Sequence, residues 1–177
     1  CDDDIYSKMI KVADEHYKNN KPFFNFVMTT SNHRPYTYPD NAIDIPSGTG
    51  REGAVKYTDY AIKKMFQKAK NKPWFKNTVF IIIADHCASS AGKDEIDVAN
   101  YHIPAFIVNF PEELNQKVTK QCSQIDLFPT FFSIMNWSYE SNFFGKNVFN
   151  PYFEERALVG TYRKLVLMKK EKVMILS

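Results

Sequence analysis

The period of the apolar positions changes several times along the chain, and each change marks an element. Ile5, Met9, Ile10, Ala13 and Tyr17 recur at helical spacing behind Asp2, Asp3 and Asp4, whose charges suit the positive end of a helix, so a helix is predicted over 4–19. Asn19-Asn20-Lys21-Pro22 breaks it. The apolar run Phe23 to Met28, continued by Thr29 and Thr30, has the length and composition of a buried strand, and it ends in the polar loop Ser31-Asn32-His33-Arg34-Pro35-Tyr36. Pro39, Pro46, Gly48, Gly50 and Gly53 predict a long surface loop over 38–53. Helical spacing returns through Tyr57, Ile62, Met65, Phe66 and Ala69, which predicts a second helix over 54–70, closed by Lys72-Pro73.

The most apolar strand is Val79 to Ala84, and it stops abruptly at Asp85-His86. An all-apolar strand between helical segments is expected at the centre of a parallel sheet covered on both faces. His102-Ile103-Pro104 then leads into a strand over Ala105 to Phe110, and Ser123 is placed to cap a helix through Leu127, Phe131, Phe132 and Met135. Pro129 falls inside its first two turns, where a missing amide donor does least harm. Leu158 to Tyr162, Leu165 to Met168 and Val173 to Leu176 read as short strands, the last two joined by the charged turn Lys169 to Lys172. The expected architecture is therefore a three-layer α/β/α fold with a mostly parallel central sheet and a C-terminal strand pair.

Composition narrows the function classes. With 177 residues, 44% hydrophobic and 24% charged, the chain suits one globular α/β domain. Its net charge is +3, and Lys and Arg are spread along it without a basic stripe, which argues against nucleic acid as a partner. Cys1, Cys87 and Cys122 form no C-x-x-C pair and suggest neither a zinc finger nor a dense disulfide framework. No apolar run is long enough to span a bilayer.

Two apolar strands end in polar clusters, around His33 and at Asp85-His86, and open α/β sheets bind ligands beyond the carboxyl ends of their strands. A turn after the strand lets the Asp85 carboxylate and the His86 imidazole converge on one divalent cation. The same dipeptide also fits an ordinary strand-end turn with its imidazole in water. His33 is either a loop histidine bonded to backbone or a functional group, and Arg34 beside it suits two-pronged contact with an anionic oxygen. His102 precedes its strand, so it lies on the far rim if that strand is parallel and on the active rim if it is antiparallel. Lys93 is a further candidate for phosphate or sulfate contact, with solvated surface as the plainer reading. His16, on a polar helical face, reads as solvated.

The order of these motifs resembles the sulfatase-like family of the alkaline phosphatase superfamily, in particular the lipoteichoic acid synthases. Lys21-Pro22-Phe23-Phe24 with Thr29 to Tyr36 is similar to the family's strand and substrate-histidine loop, Tyr57 to Ala61 to the helix that follows, and Asn77 to His86 to its metal-binding strand. His102-Ile103-Pro104, Ser123 to Thr130 and Phe144 to Phe149 are similar to later stretches. The resemblance implies an alkaline-phosphatase-type fold in which residues 1–177 are the C-terminal portion of one catalytic domain. Asp85 and His86 would ligate a divalent metal, Mn2+ first, with Zn2+, Mg2+ or Ca2+ as alternatives. His33 and Arg34 would be catalytic, and His33, His102 and Lys93 would serve substrate or a second cation. The nucleophile and another acidic ligand would come from the N-terminal half of that domain, which precedes Cys1. Cys87 stands where the superfamily often has Gly.

The implied activity is metal-dependent transfer or hydrolysis of phosphate or sulfate esters, on a lipid or glycan substrate. The implied location is extracytoplasmic, with attachment to the bacterial cell membrane through a region outside this chain. The rival readings are a non-catalytic module that holds an anionic glycan or polymer, and a purely structural piece.

Overall fold

The computed structural model describes residues 1–88, 96–110, 115–161 and 163–176. The chain divides into two compact units, residues 1–82 with 106–109, and residues 83–105 with 110–177.

In the first unit α1 (Asp2–Lys18) and α2 (Arg51–Ala69) pack together around small residues. Ala13, Ala54, Ala61 and Ala69 are fully buried, which allows close approach, and Ile10, Met65 and Trp74 cluster with Ala13 and Ala69. The Trp74 indole N–H donates to Asp14 at 2.7 Å, so its one polar atom is satisfied inside the apolar cluster. Asp14 also meets Lys72 at 2.6 Å, and Asp3 pairs with Lys64 at 2.6 Å and Lys68 at 3.2 Å, tying α1 to α2 and to the turn after it.

The surface loop expected over 38–53 is pinned rather than loose. Tyr38 is buried, stacks on Tyr57 with ring centroids 4.9 Å apart, and donates its hydroxyl to the Ile45 and Pro46 carbonyls. Gly53 makes this possible, because a Cβ there would lie 2.2 Å from the Tyr38 hydroxyl oxygen. Helix α2 starts at Arg51, three residues earlier than the spacing of its apolar face predicts.

Two expectations about sheets are corrected. The run Phe23 to Met28 alternates in burial as a strand does but belongs to neither sheet, and only its inward side chains are covered; Phe23 packs edge-on against Trp74, while Phe24, Phe26 and Met28 are exposed. A strand needs a hydrogen-bonded neighbour, and apolar composition alone does not supply one.

The mostly parallel central sheet is likewise not found, and with it the three-layer arrangement built on that sheet falls. β1 (Phe80–Ile83) pairs with β2 (Ala105–Val108). The Ala84 N–H, just past the end of β1, donates to the Pro104 carbonyl just before β2. At the other end the Asn109 amide donates to the Phe75 and Thr78 carbonyls at 2.7 Å each. The end of one strand thus meets the start of the other, which makes the pair antiparallel. The described part of the connection holds only a 3-10 turn, Val98–Tyr101, instead of the crossover helix a parallel pair usually requires.

The C-terminal strand pair is a sheet of three. β3 (Ala157–Gly160), β4 (Leu165–Lys169) and β5 (Lys172–Leu176) run antiparallel in that order, with Ala157 opposite Met168 and Leu165 opposite Leu176. Lys170 and Glu171 both take positive φ, 49° and 59°, as a tight two-residue hairpin turn demands.

The rest of the second unit is organised by an ion pair between buried Asp126 and partly buried Arg156. A 3-10 turn, Gln124–Asp126, runs into α3 (Leu127–Ile134). The Asp126 carboxylate accepts two bonds from the Arg156 guanidinium, at 2.7 and 2.8 Å, and the backbone N–H groups of Ser123 and Lys146, each at 2.8 Å. Burial by itself raises the carboxyl's pKa, but the guanidinium and the two amides outweigh it and hold the group below the usual carboxylate range. Gly145 is required beside this turn, since a Cβ on it would fall 1.8 Å from the Ile125 carbonyl oxygen.

Candidate functional site

Two polar loops carry the candidate residues, one in each unit. In the first unit the loop's foot is fixed by Asp2, which is fully buried at the start of α1. Asp2 Oδ1 accepts the backbone N–H groups of Thr30 and Ser31, at 3.0 Å each, and the Ser31 hydroxyl at 2.8 Å; Ser31 Oγ accepts the Asp2 N–H at 3.2 Å. The His33 N–H closes a turn onto the Thr30 carbonyl, and the Tyr36 N–H closes the next onto the His33 carbonyl. His33 is exposed, with Nδ1 3.0 Å from the Arg34 carbonyl. A carbonyl only accepts, so Nδ1 carries the proton and Nε2 offers a lone pair.

The Arg34 guanidinium, and after it that of Arg51, lowers the pKa of the Tyr36 hydroxyl. Arg51 donates to that hydroxyl at 2.9 Å and lies 5.6 Å from the ring centroid. Two guanidinium groups at one hydroxyl make this corner favourable for an anionic oxygen. Asp2 and Arg51 were not legible as parts of the loop. Asp2 reads as one of three acids at a helix start, and Arg51 lies outside the predicted helix.

In the second unit Asp85 and His86 follow β1. The His86 N–H donates to Asp85 Oδ1 at 2.8 Å, and His86 Nδ1 lies 2.7 Å from the Cys87 carbonyl, which again puts the proton on Nδ1. His86 Nε2 is left with its lone pair, 3.4 Å from Asp85 Oδ2, and both side chains are about three-quarters exposed, at 75% and 71%. Two donors about 2.1 Å from one cation stand about 3 to 3.4 Å apart between right-angled and tetrahedral geometry, so this pair fits one divalent ion. The Cys87 carbonyl supplies the outer hydrogen bond that commonly fixes a metal-binding imidazole.

Gln124 holds the same loop from outside. Its amide N–H group donates to the Ala84 carbonyl at 3.0 Å and to the Asp85 carbonyl at 3.2 Å. His102 is exposed and, because β2 is antiparallel to β1, stands at the end of the strand pair where Asp85 and His86 stand. Among the described residues no three of His, Cys, Asp and Glu gather as a metal site. Lys93 lies outside the described residues.

Comparison with known proteins adds three findings. The sulfatase family profile matches residues 1–137. Lipoteichoic acid synthase 2 of Bacillus subtilis (strain 168) is 26% identical over 136 residues, covering 65% of this chain and 21% of that protein. The crystal structure of a protein in the alkaline phosphatase superfamily from Vibrio parahaemolyticus superposes with a TM-score of 0.88 at 32% identity, over all of this chain and 44% of that one. The chain thus spans less than half the length of either relative.

Proposed function

The chain belongs to the sulfatase family, within the alkaline phosphatase superfamily, and from that premise we propose that it carries the cation-binding part of an enzyme that transfers or hydrolyses phosphate or sulfate esters. The observation that carries this reading is the 3.4 Å approach of His86 Nε2 to Asp85 Oδ2 at the end of an apolar strand. Residues 1–177 are read as the C-terminal portion of one catalytic domain, whose hydroxyl nucleophile and remaining acidic ligand lie in another part of it.

Asp85 and His86 hold the cation, Mn2+ first among divalent ions. When bound, that ion offsets charge on the ester and lowers the pKa of the attacking hydroxyl. The Cys87 carbonyl orients the His86 ring. His33 protonates the leaving oxygen from Nε2 and regains that proton from the alcohol or water that enters after it. Arg34 and Arg51 offer donors to the anionic oxygens. His102 is assigned to substrate or a second cation.

The named relative is a lipoteichoic acid synthase, which favours an anionic polymer or lipid substrate and an extracytoplasmic location, with membrane attachment outside these residues. No helix among the described residues is long and apolar enough to cross a membrane. The guanidinium pair at Tyr36 also suits a second reading, a module that binds an anionic glycan or polymer without turning it over.

The test is turnover of a phosphodiester, a phosphomonoester and a sulfate ester by the full-length protein, with Mn2+ and after chelation. One ester class should be turned over in a chelator-sensitive way, with Asp85→Ala and His33→Ala each lowering kcat by about a hundredfold or more. Retention of an anionic polymer with no turnover of any ester would favour the binding module; turnover indifferent to both chelation and Asp85→Ala would sink the metal assignment.

A further inference from the structure

The Gln124 side chain is exposed, yet it spends both amide hydrogens on backbone carbonyls forty and thirty-nine residues away, those of Ala84 and Asp85. A solvated glutamine has little reason to hold one conformation, because ordering it costs side-chain entropy that a single exposed hydrogen bond barely offsets. Here the backbone beneath it is already tied down by hydrogen bonds. Gln124 opens the 3-10 turn whose third residue is Asp126, and that carboxylate is fixed by Arg156, the Ser123 N–H and the Lys146 N–H. The Thr130 hydroxyl adds a bond to the Asp126 carbonyl at 2.6 Å and accepts the Val148 N–H at 3.1 Å. Gly145 passes close to the Ile125 carbonyl, where a Cβ would fall 1.8 Å from the oxygen.

We infer that Gln124 is a positioning residue for the cation pair: it fixes the peptide groups on either side of the Asp85 Cα, and so sets the direction in which the carboxylate leaves the strand. Without it those two carbonyls lose a shared donor, and the Asp85–His86 turn, exposed on its outer side, is free to rotate. Its hydrogen bonds go to the backbone and not to either candidate ligand side chain, so its effect is on their geometry. This inference rests on the reading of Asp85 and His86 as cation ligands.

The experiment is calorimetric titration of Mn2+ and Zn2+ into the full-length protein as wild type, Gln124→Ala, Gln124→Lys and Asp85→Ala, with the melting midpoint of each cation-free protein measured alongside. Gln124→Ala should weaken binding about tenfold at an unchanged cation-free midpoint, and Gln124→Lys, which restores a donor of similar reach, should recover part of the loss. Wild-type affinity in Gln124→Ala, with binding abolished in Asp85→Ala, would overturn the inference and leave the cation site standing. An affinity loss matched by a falling cation-free midpoint would also overturn it, since Gln124 would then support the fold generally. Equal binding by the wild type and Asp85→Ala would remove the cation site and the inference with it.

Discussion

The His33 loop and the Asp85-His86 loop are both held by side-chain bonds to their backbone, but the two supports are built in opposite ways. At the first, one buried carboxylate does everything: Asp2 sits at 0% exposure and takes the Thr30 and Ser31 amides directly. At the second the work is divided, with the ion pair of buried Asp126 and partly buried Arg156 fixing a turn from which the exposed Gln124 reaches the loop. Stability and positioning are therefore one property at His33 and two separable properties at Asp85. A substitution can disturb the geometry of the second loop without unfolding anything; at the first it cannot.

The largest effect should come from Asp126→Asn, which leaves the Arg156 guanidinium without its charge partner and should cost about 3 to 5 kcal/mol in denaturant unfolding at neutral pH. The sign of its pH dependence follows from the depressed carboxyl. A group whose pKa is lowered by folding contributes stability above its unfolded value, about 3.9 for Asp, and loses that contribution as pH falls through the folded value. The gap between wild type and Asp126→Asn should therefore be widest near neutrality and narrow as pH falls below about 4; a gap constant across that range would mean the charge is not what holds the turn.

Asp2→Ala is expected next, at about 3 kcal/mol, because it strands the Thr30 and Ser31 N–H groups. Hydrogen exchange at those two amides should accelerate along with the loss. Ser31→Ala, which keeps the carboxylate and removes only the hydroxyl, should cost about 1 kcal/mol and leave the Thr30 amide protected. If Asp2→Ala changed stability without exposing these amides, the two loops would not differ in the way described.

The helices were legible because their apolar faces repeat cleanly: α1 and α2 fall within three residues of the predicted limits at each end. The candidate loops were legible because apolar runs stop at polar clusters. Strand direction was not, since Phe80 to Ile83 declares a wish for burial and says nothing about which way its hydrogen-bonded neighbour runs. The supports were hidden for a different reason. Asp2 looks like a helix-dipole acid, and Gln124 looks like ordinary surface, because a bond across 29 or 40 residues leaves no trace in local spacing. Asp126 stands where a helix start stabilises an acid, and nothing in local spacing marks its partner Arg156, thirty residues on.

The central claim is that Asp85 and His86 form a cation site, and titration calorimetry of Mn2+ and Zn2+ into the full-length protein as wild type, Asp85→Ala and His86→Ala tests it most directly. The account predicts binding by the wild type that disappears in both variants. Equal binding in all three, or none in any, would contradict it and leave the anion-favouring corner at Arg34, Arg51 and Tyr36 as the feature around which the function has to be rebuilt.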